Sequence, residues 1–522
     1  MISVSRGPCD VGVLRTVPAA PVPCGTAERT RTLAATVLGS SLAFIDGSVV
    51  NVALPAIQRD LAAGAAGTQW VMNAYLAALG ALVLIGGASA DRFGRRRVFV
   101  AGVVLFTAAS ILCGLAPGTS ALVAARAVQG TGAALLVPAS LALLGATFPE
   151  GERARAIGAW AGYGALAMAA GPMLGGFLTD HVSWRAIFYL NVPLAVAAVW
   201  LALRGAPDSR SAHPPGLDWL GAGLAAAGLA SLTWGLTAAA ELGFRSPAVA
   251  TALVGGAVTI AAFVVAETRG RSPMLPLALF RSPAFTGANV VTLLLYFALS
   301  GVLFFLPFEL IRGRDYSATA AGAALLPLPV VMGLLSGRAG AVADRHGTRL
   351  PLTIGPLVAA LGFLLLAIPS RGSSYWVSLL PPLLVLAAGM TITVAPLTTA
   401  VMSAVGGDYA GTASGVNNAV ARVAGVFAIA LLSLLFIAVY DETLRRAVSG
   451  LDVAGSLPAA LLDALSGAPF ASGPPGEAGR AALFTAFQAV ALAGAGCAAC
   501  SGLIAWKTMA PGRLAGSRSN AR

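Results

Sequence analysis

Two ionisable residues stand inside long apolar runs and are the first candidates for chemistry: Asp46, in the run 33–57, and Arg126, in the run 120–148. An ionised group held in hydrocarbon costs about 2.5–3.5 kcal/mol or more, and such groups mark ion and substrate pathways. An aspartate beside a fixed cation can bind or release a proton as its surroundings change, which is the least that coupling to a proton gradient requires. With a helical rise of about 1.5 Å per residue, Asp46 falls roughly 16 Å and Arg126 roughly 10 Å below the same membrane surface, a difference that two long side chains bridge. The competing reading is a structural ion pair that locks two helices.

A second constellation is mechanical. The loop 87–97 reads GASADRFGRRR, with Gly87, Asp91, Arg92, Gly94 and Arg95 at its turn. A carboxylate there can face the positive N-terminus of a helix in the other half of the molecule, a latch that breaks when the halves rock; the alternative is a solvated arginine run that only sets topology. The segment Gly171, Pro172, Gly175 and Gly176 lacks one backbone donor and carries little bulk, so it should kink its helix and permit a tight crossing. Further polar groups that could line a cavity are Asn51, Asn73, Tyr75, Gln129, Asn191, Asn289, Asn417 and Asn418, each also suited to an interhelical hydrogen bond, and two more in-membrane ionisables, Glu309 and Arg422.

Other chemistries find no support. Cys9 and Cys24 lie in an N-terminal tail and Cys113, Cys497 and Cys500 in apolar runs, so they form no disulfide framework, and the C-x-x-C of Cys497 and Cys500 has no histidine or acid beside it to make a metal or redox site. His181, His213 and His346 fall in separate loops. The single lysine, Lys507, lacks the glycines of a phosphate-cradling loop, so ATP hydrolysis is not expected, and Gly130 with Gly132 reads as a small-residue packing surface. No cofactor is expected, and the energy source is an ion gradient or there is none.

These residues need elements to hold them, and the composition says what those are. Of 522 residues, 57% are hydrophobic and 10% charged, against roughly 25% charged in soluble domains. Helices long enough for a core of about 30 Å are predicted at 33–57, 69–90, 98–116, 120–148, 154–179, 186–203, 219–240, 248–266, 284–311, 318–343, 352–368, 376–405, 413–440 and 481–506. The net charge of +12 would suit nucleic acid in a soluble protein; here most arginines collect in alternate loops, so they report topology, with both termini cytoplasmic. The segment 340–349, GAVADRHGTR, repeats the 87–97 loop with Asp344 and Arg345. If helices seven and eight are inserted, both loops occupy the same place in a six-helix half. The resulting organisation is a cytoplasmic tail at 1–32, without a cleavable signal peptide; a six-helix bundle at 33–203; a linker with two extra helices at 204–283; a second bundle at 284–506, with an external loop at 441–480 and a short amphipathic helix at 461–465; and a tail at 507–522.

Four stretches then resemble the major facilitator superfamily, specifically its fourteen-helix drug:proton antiporter branch: 45–55 with Asp46 and Asn51; the loop 87–97; Arg126 to Gly132; and Gly171-Pro172 with Gly175-Gly176. Trp184 to Pro193 is also typical of it. The resemblance implies an all-α polytopic fold, two six-helix bundles plus two inserted helices, and export of small amphiphilic or cationic drugs or secondary metabolites against inward proton flow. By carry-over, Asp46 and Arg126 resemble the coupling pair, Asp91 the latch and Gly171/Pro172 the antiporter kink. Some multidrug members carry a further acid in helix ten; 318–343 offers none, which weighs against dicationic substrates. The implied setting is a bacterial cytoplasmic membrane, with a small-molecule substrate, protons and lipid as partners, no nucleic acid, and a monomer. A proton-coupled importer or facilitator of a metabolite is the alternative, and a non-transporting receptor or scaffold a remote one that leaves Asp46 and Arg126 without a use.

Overall fold

The computed structural model describes residues 25–210, 218–270, 275, 277–368, 374–405, 410–448 and 474–509. The tails at 1–24 and 510–522, the amphipathic helix anticipated at 461–465 and the side chains of Asp344 and Arg345 lie outside the described residues. Among the described residues fourteen helices are long and apolar enough to cross a membrane: α1 Thr26–Asp60, α2 Ala66–Phe93, α3 Arg95–Gly114, α4 Thr119–Thr147, α5 Ala156–His181, α6 Ala186–Gly205, α7 Trp219–Ala239, α8 Pro247–Arg269, α9 Pro283–Gly313, α10 Ala318–Leu335, α11 Arg349–Leu366, α12 Tyr375–Met402, α13 Gly415–Ala447 and α14 Gly476–Thr508. In hydrocarbon every backbone group must be satisfied within its own segment, which is why such runs fold as helices. The first helix starts at Thr26, ahead of the apolar run that begins at 33. Its polar first turns are held by polar contacts: Glu28 accepts from the Gly25 amide at 3.1 Å, Arg29 pairs with Glu152 at 2.9 Å, and the buried Thr32 hydroxyl donates to the Gly205 carbonyl at 3.1 Å.

Helices α1–α6 pack on one another, chiefly α2 on α4, α3 on α4 and α1 on α5 and α6, and α9–α14 form a second group around α11–α12, α11–α14 and α9–α14. The groups meet along two seams, α2 with α13 and α5 with α10. The inserted helices α7 and α8 pair with each other, and α7 lies over the first seam, where Leu229 joins Ala77 and Val426 in a small buried cluster. Helix α8 buries only Val249, Gly256 and Glu267 fully; Leu253 and Ile260 pack on Gly235 and Gly228 of α7, and Val254, Val258, Val264 and Val265 are exposed, as suits a helix against lipid. The end of the bundle that holds the loop Arg92–Arg97 is called the arginine-rich end below, and the opposite one the far end.

Candidate functional site

Arg126 and Gln129 stand one turn apart on α4 and so share a face. The face is turned to α1 and α2 because those helices come unusually close: a Cβ on Gly130 would run into the Tyr75 carbonyl, and only glycine permits that approach. The Arg126 Nε can therefore donate to the Val71 carbonyl of α2 at 3.0 Å. Its Nη1 donates to Asp46 Oδ2 at 2.5 Å and to Gln129 Oε1 at 2.8 Å, while Gln129 Nε2 donates to the other Asp46 oxygen at 2.9 Å. The guanidinium carbon lies 4.4 Å from the centre of the Tyr75 ring, and the Tyr75 hydroxyl donates to the Ala43 carbonyl at 3.4 Å.

All four side chains are sealed: Asp46 and Tyr75 are 1% exposed, Arg126 and Gln129 0%. Both carboxylate oxygens have a donor, whereas Arg126 Nη2 has no hydrogen-bond partner. An ion pair this dry draws its stability from geometry, and loss of either partner leaves a bare charge at a cost of about 3–5 kcal/mol. Protonating Asp46 would have the same electrostatic consequence without removing an atom. The arrangement can therefore couple proton occupancy to how firmly α1 and α4 are tied.

The remaining polar candidates divide by place. Asn191 donates to Ser110 Oγ at 2.9 Å, and Asn51 to the Gly47 carbonyl at 3.4 Å. Asn417 donates to Asn289 Oδ1 at 3.2 Å and Thr292 Oγ1 at 2.6 Å, forming an α9–α13 network; Asn418 is half-buried beside it in sequence. Asn73 is fully buried, and neither of its side-chain polar atoms has a partner. Arg422 packs across the seam on Gly80, close enough to Tyr75 and Tyr296 to act on both electrostatically, and its buried Nε has no partner. Glu309, 2% exposed, begins a π-helical turn, Glu309–Gly313, and accepts from Arg314 Nε at 2.7 Å. It sits in the second group, apart from the Asp46 cluster.

The expected loop 87–97 is helical except for Gly94, which joins α2 to α3; Asp91, in the last turn of α2, accepts from Arg95 Nε at 3.1 Å and Nη2 at 2.9 Å. Arg97 pairs with Asp208 at 3.0 Å, Arg96 donates to the Ala206 carbonyl at 3.0 Å, and Gly94 supplies the positive φ of +110° that the turn demands. Arg92 is exposed. These partners all belong to the first group and the link that follows it. In α5, Gly171 rests on Ile45 and Ser48, the turn of α1 that carries Asp46, and Gly175 rests on Val49. A Cβ on Gly176 would overlap the Ala318 carbonyl, and one on Gly322 the Pro172 carbonyl. The small residues thus bring α5 against α1 on one side and against α10 on the other.

Residues 36–429, from α1 into α13, match the sequence pattern of the Major Facilitator Superfamily. The chain belongs to that superfamily. It is 36% identical over 415 residues to the multidrug resistance protein Stp of Mycobacterium tuberculosis, covering 79% of this chain and 77% of that protein. It is 37% identical over 396 residues to the cephamycin export protein CmcT of Amycolatopsis lactamdurans, covering 75% and 82%. Among solved folds, a bacterial homologue of the human lysosomal transporter Spinster, in an inward-facing and unoccupied conformation, superposes with a TM-score of 0.67 at 18% identity, over 93% of this chain and 97% of that one. The fourteen spans fit the fourteen-helix drug:proton antiporter branch, and the chain is a multi-pass membrane protein.

One contact of this major facilitator protein went unrecognised in the sequence. Asp180, at the far end of α5, accepts from the Thr319 amide at 2.7 Å, the Thr319 hydroxyl at 2.5 Å and the Ala318 amide at 3.2 Å. A carboxylate of the first group thereby caps the N-terminus of α10 in the second, satisfying donors a helix start leaves open. Asp180 reads in sequence as a loop-edge acid after an apolar run. The available signal was the helix start at Ser317, whose hydroxyl accepts from the Ala320 amide at 3.1 Å, but nothing local pairs that start with a residue so far back in the chain. Among the described residues no group of three His, Cys, Asp or Glu side chains could hold a metal ion.

Proposed function

We propose that the protein is a proton-coupled exporter of small amphiphilic molecules that works by alternating access, set in a bacterial cytoplasmic membrane with the arginine-rich end and both termini inside. The observation that carries the reading is the sealed cluster of Asp46, Arg126 and Gln129. A charge pair buried this deeply is an expensive way to join two helices, and an apolar pair would serve as well or better; a proton site has no such substitute. The direction draws on the relatives, one named for multidrug resistance and another for cephamycin export.

Alternating access then needs each face to close in turn. At the far end Asp180 ties α5 to α10, and at the arginine-rich end the Asp91 loop, with Asp344 and Arg345 in its repeat, serves as the second latch. Gly171, Pro172, Gly175 and Gly176 supply the crossing about which α5 moves. Proton arrival at Asp46 loosens Arg126, and substrate in the cavity between the halves competes for the same conformers. No cofactor enters the cycle, and the protein is no enzyme. The test is efflux in proteoliposomes under an imposed pH gradient. Accumulation that collapses on adding a protonophore and persists without ATP supports the reading, and transport that runs without any proton gradient overturns it.

A further inference from the structure

Near the far end, between the two halves, lies a small cleft, open on one side, with an internal space of about 50 Å³. Its walls differ in chemistry. The first half contributes Gln58 of α1 and Gln69 of α2, 3% and 4% exposed, each with a buried side-chain oxygen that accepts no hydrogen bond. From the second half come Phe308, Arg312, and the rings of Phe305 and Phe436, stacked with centroids 4.4 Å apart and planes 11° apart. None of the lining residues is acidic.

We propose that this cavity is a binding subsite for planar aromatic compounds that are neutral or negatively charged and carry a hydroxyl or N–H donor. The ring wall offers offset stacking, worth about 0.5–1.5 kcal/mol beyond area burial for an aromatic pair. A donor on the guest satisfies a Gln oxygen that is costly to leave alone. Charge decides the rest. Arg59 stands close enough to Arg312 to act on it electrostatically, so a cationic guest would bring a further positive charge into a site whose wall holds no carboxylate to offset it. A phenolate or carboxylate meets the guanidinium with attraction strengthened by the low dielectric. Arg422, further along α13 toward the arginine-rich end, continues the same sign along the seam. The substrate class this assigns is narrower than drugs in general, and lipophilic cations fall outside it.

The assignment rests on the export reading, and the experiment separates the two because it needs no gradient. Full-length protein in lipid nanodiscs is titrated with fluorescein and with rhodamine 123, xanthene dyes of similar size and opposite charge, read by anisotropy against empty nanodiscs. Fluorescein should bind at least about tenfold tighter; Arg312→Gln should weaken it by about tenfold or more, the size of one charge-assisted hydrogen bond, Arg312→Lys should keep most of its affinity, and Phe436→Ala should weaken fluorescein again. Should Arg312→Gln fail to insert, displacement of fluorescein from the unaltered protein by naphthalene-2-carboxylate, and not by naphthalen-2-ylmethylammonium, carries the same information. Equal binding of the two dyes, or equal displacement by the two naphthalenes, overturns the subsite. In that event transport that still depends on Asp46 leaves the export reading standing, whereas charge-selective binding without gradient-driven transport overturns the export reading alone.

Discussion

Replacing Asp46 by asparagine separates a proton site from a structural ion pair, provided that a second substitution accompanies it. Asp46 now receives two donors, Arg126 Nη1 on one oxygen and Gln129 Nε2 on the other. Asparagine has one acceptor. If its oxygen faces Arg126, its amide nitrogen meets the Gln129 nitrogen; if Gln129 turns over, its nitrogen meets Arg126 Nη1, which it now accepts from at 2.8 Å. Either way one buried donor is stranded, at about 1–3 kcal/mol. The lost attraction adds to this: two unit charges roughly 4 Å apart at an effective dielectric of about 20 are worth about 4 kcal/mol, in line with the roughly 3–5 kcal/mol of a broken buried pair. Asp46→Asn alone should therefore lower thermal stability and abolish efflux, which by itself distinguishes nothing. The double variant Asp46→Asn/Arg126→Gln removes the stranded charge and should recover most of the stability while remaining unable to transport against a gradient. Melting in detergent is measured beside pH-gradient-driven uptake in inverted proteoliposomes. A double variant with recovered stability and wild-type gradient-driven transport would refute the proton assignment.

Other expectations follow from the contacts across the halves. Asp180→Asn weakens the cap on α10, an interaction worth about 0.3–2 kcal/mol, and should raise labelling of a cysteine placed at Thr319 by a membrane-impermeant thiol reagent several-fold; unchanged labelling would remove the far-end latch. Asp91→Asn should slow turnover while leaving substrate binding within a few-fold, since its bonds are to Arg95 and not to a cavity; unaltered turnover would reduce the loop to a topology signal. Gly322→Val puts a branched side chain against the Pro172 carbonyl and should block transport with insertion retained, as judged by expression and gel filtration, and wild-type transport in this variant would show that the α5–α10 approach is dispensable. In intact cells, efflux should cease within the time a protonophore takes to dissipate the gradient, and efflux that survives would point to another energy source.

The fold was legible because hydrocarbon leaves a chain few choices: runs long enough to span must be helices, and all fourteen predicted runs correspond to a helix. The Asp46–Arg126 pairing was legible from depth alone, since two charges at similar depth in hydrocarbon seek one another. Gln129 appeared only as a generic cavity polar group, because its role as the second donor to Asp46 depends on how α4 is rotated, which Gly130 and its contact with Tyr75 set. For Asp91 the sequence suggested a partner in the other half, while the described contacts of its side chain run to Arg95, four residues on. The helix-end capping across the halves was sound physics seen at a different address, Asp180 and α10. Residues far apart in the chain and similar to any loop acid carry no local mark of the helix start they meet.

In the proposed cycle the position of α5 would join the Asp46 cluster and the Asp180 cap into one device. Its Gly171 lies on the Ile45–Ser48 turn that holds Asp46, the next residue, Pro172, meets Gly322 of α10 through its carbonyl, and Asp180 at the end of the same helix caps α10 again. At Gly176 and Gly322 the approach is backbone to backbone, with no flexible side chain between to absorb a displacement. Packed cores respond to small shifts by changing between discrete arrangements and not by continuous yielding. A movement of α1 relative to α4, of the kind that loss of the Asp46 charge would permit, is therefore carried by α5 as a body to its contacts with α10. The missing backbone donor of Pro172 lies beside the contact with α1 and eight residues before Asp180, where a helix held at both places bends at least cost.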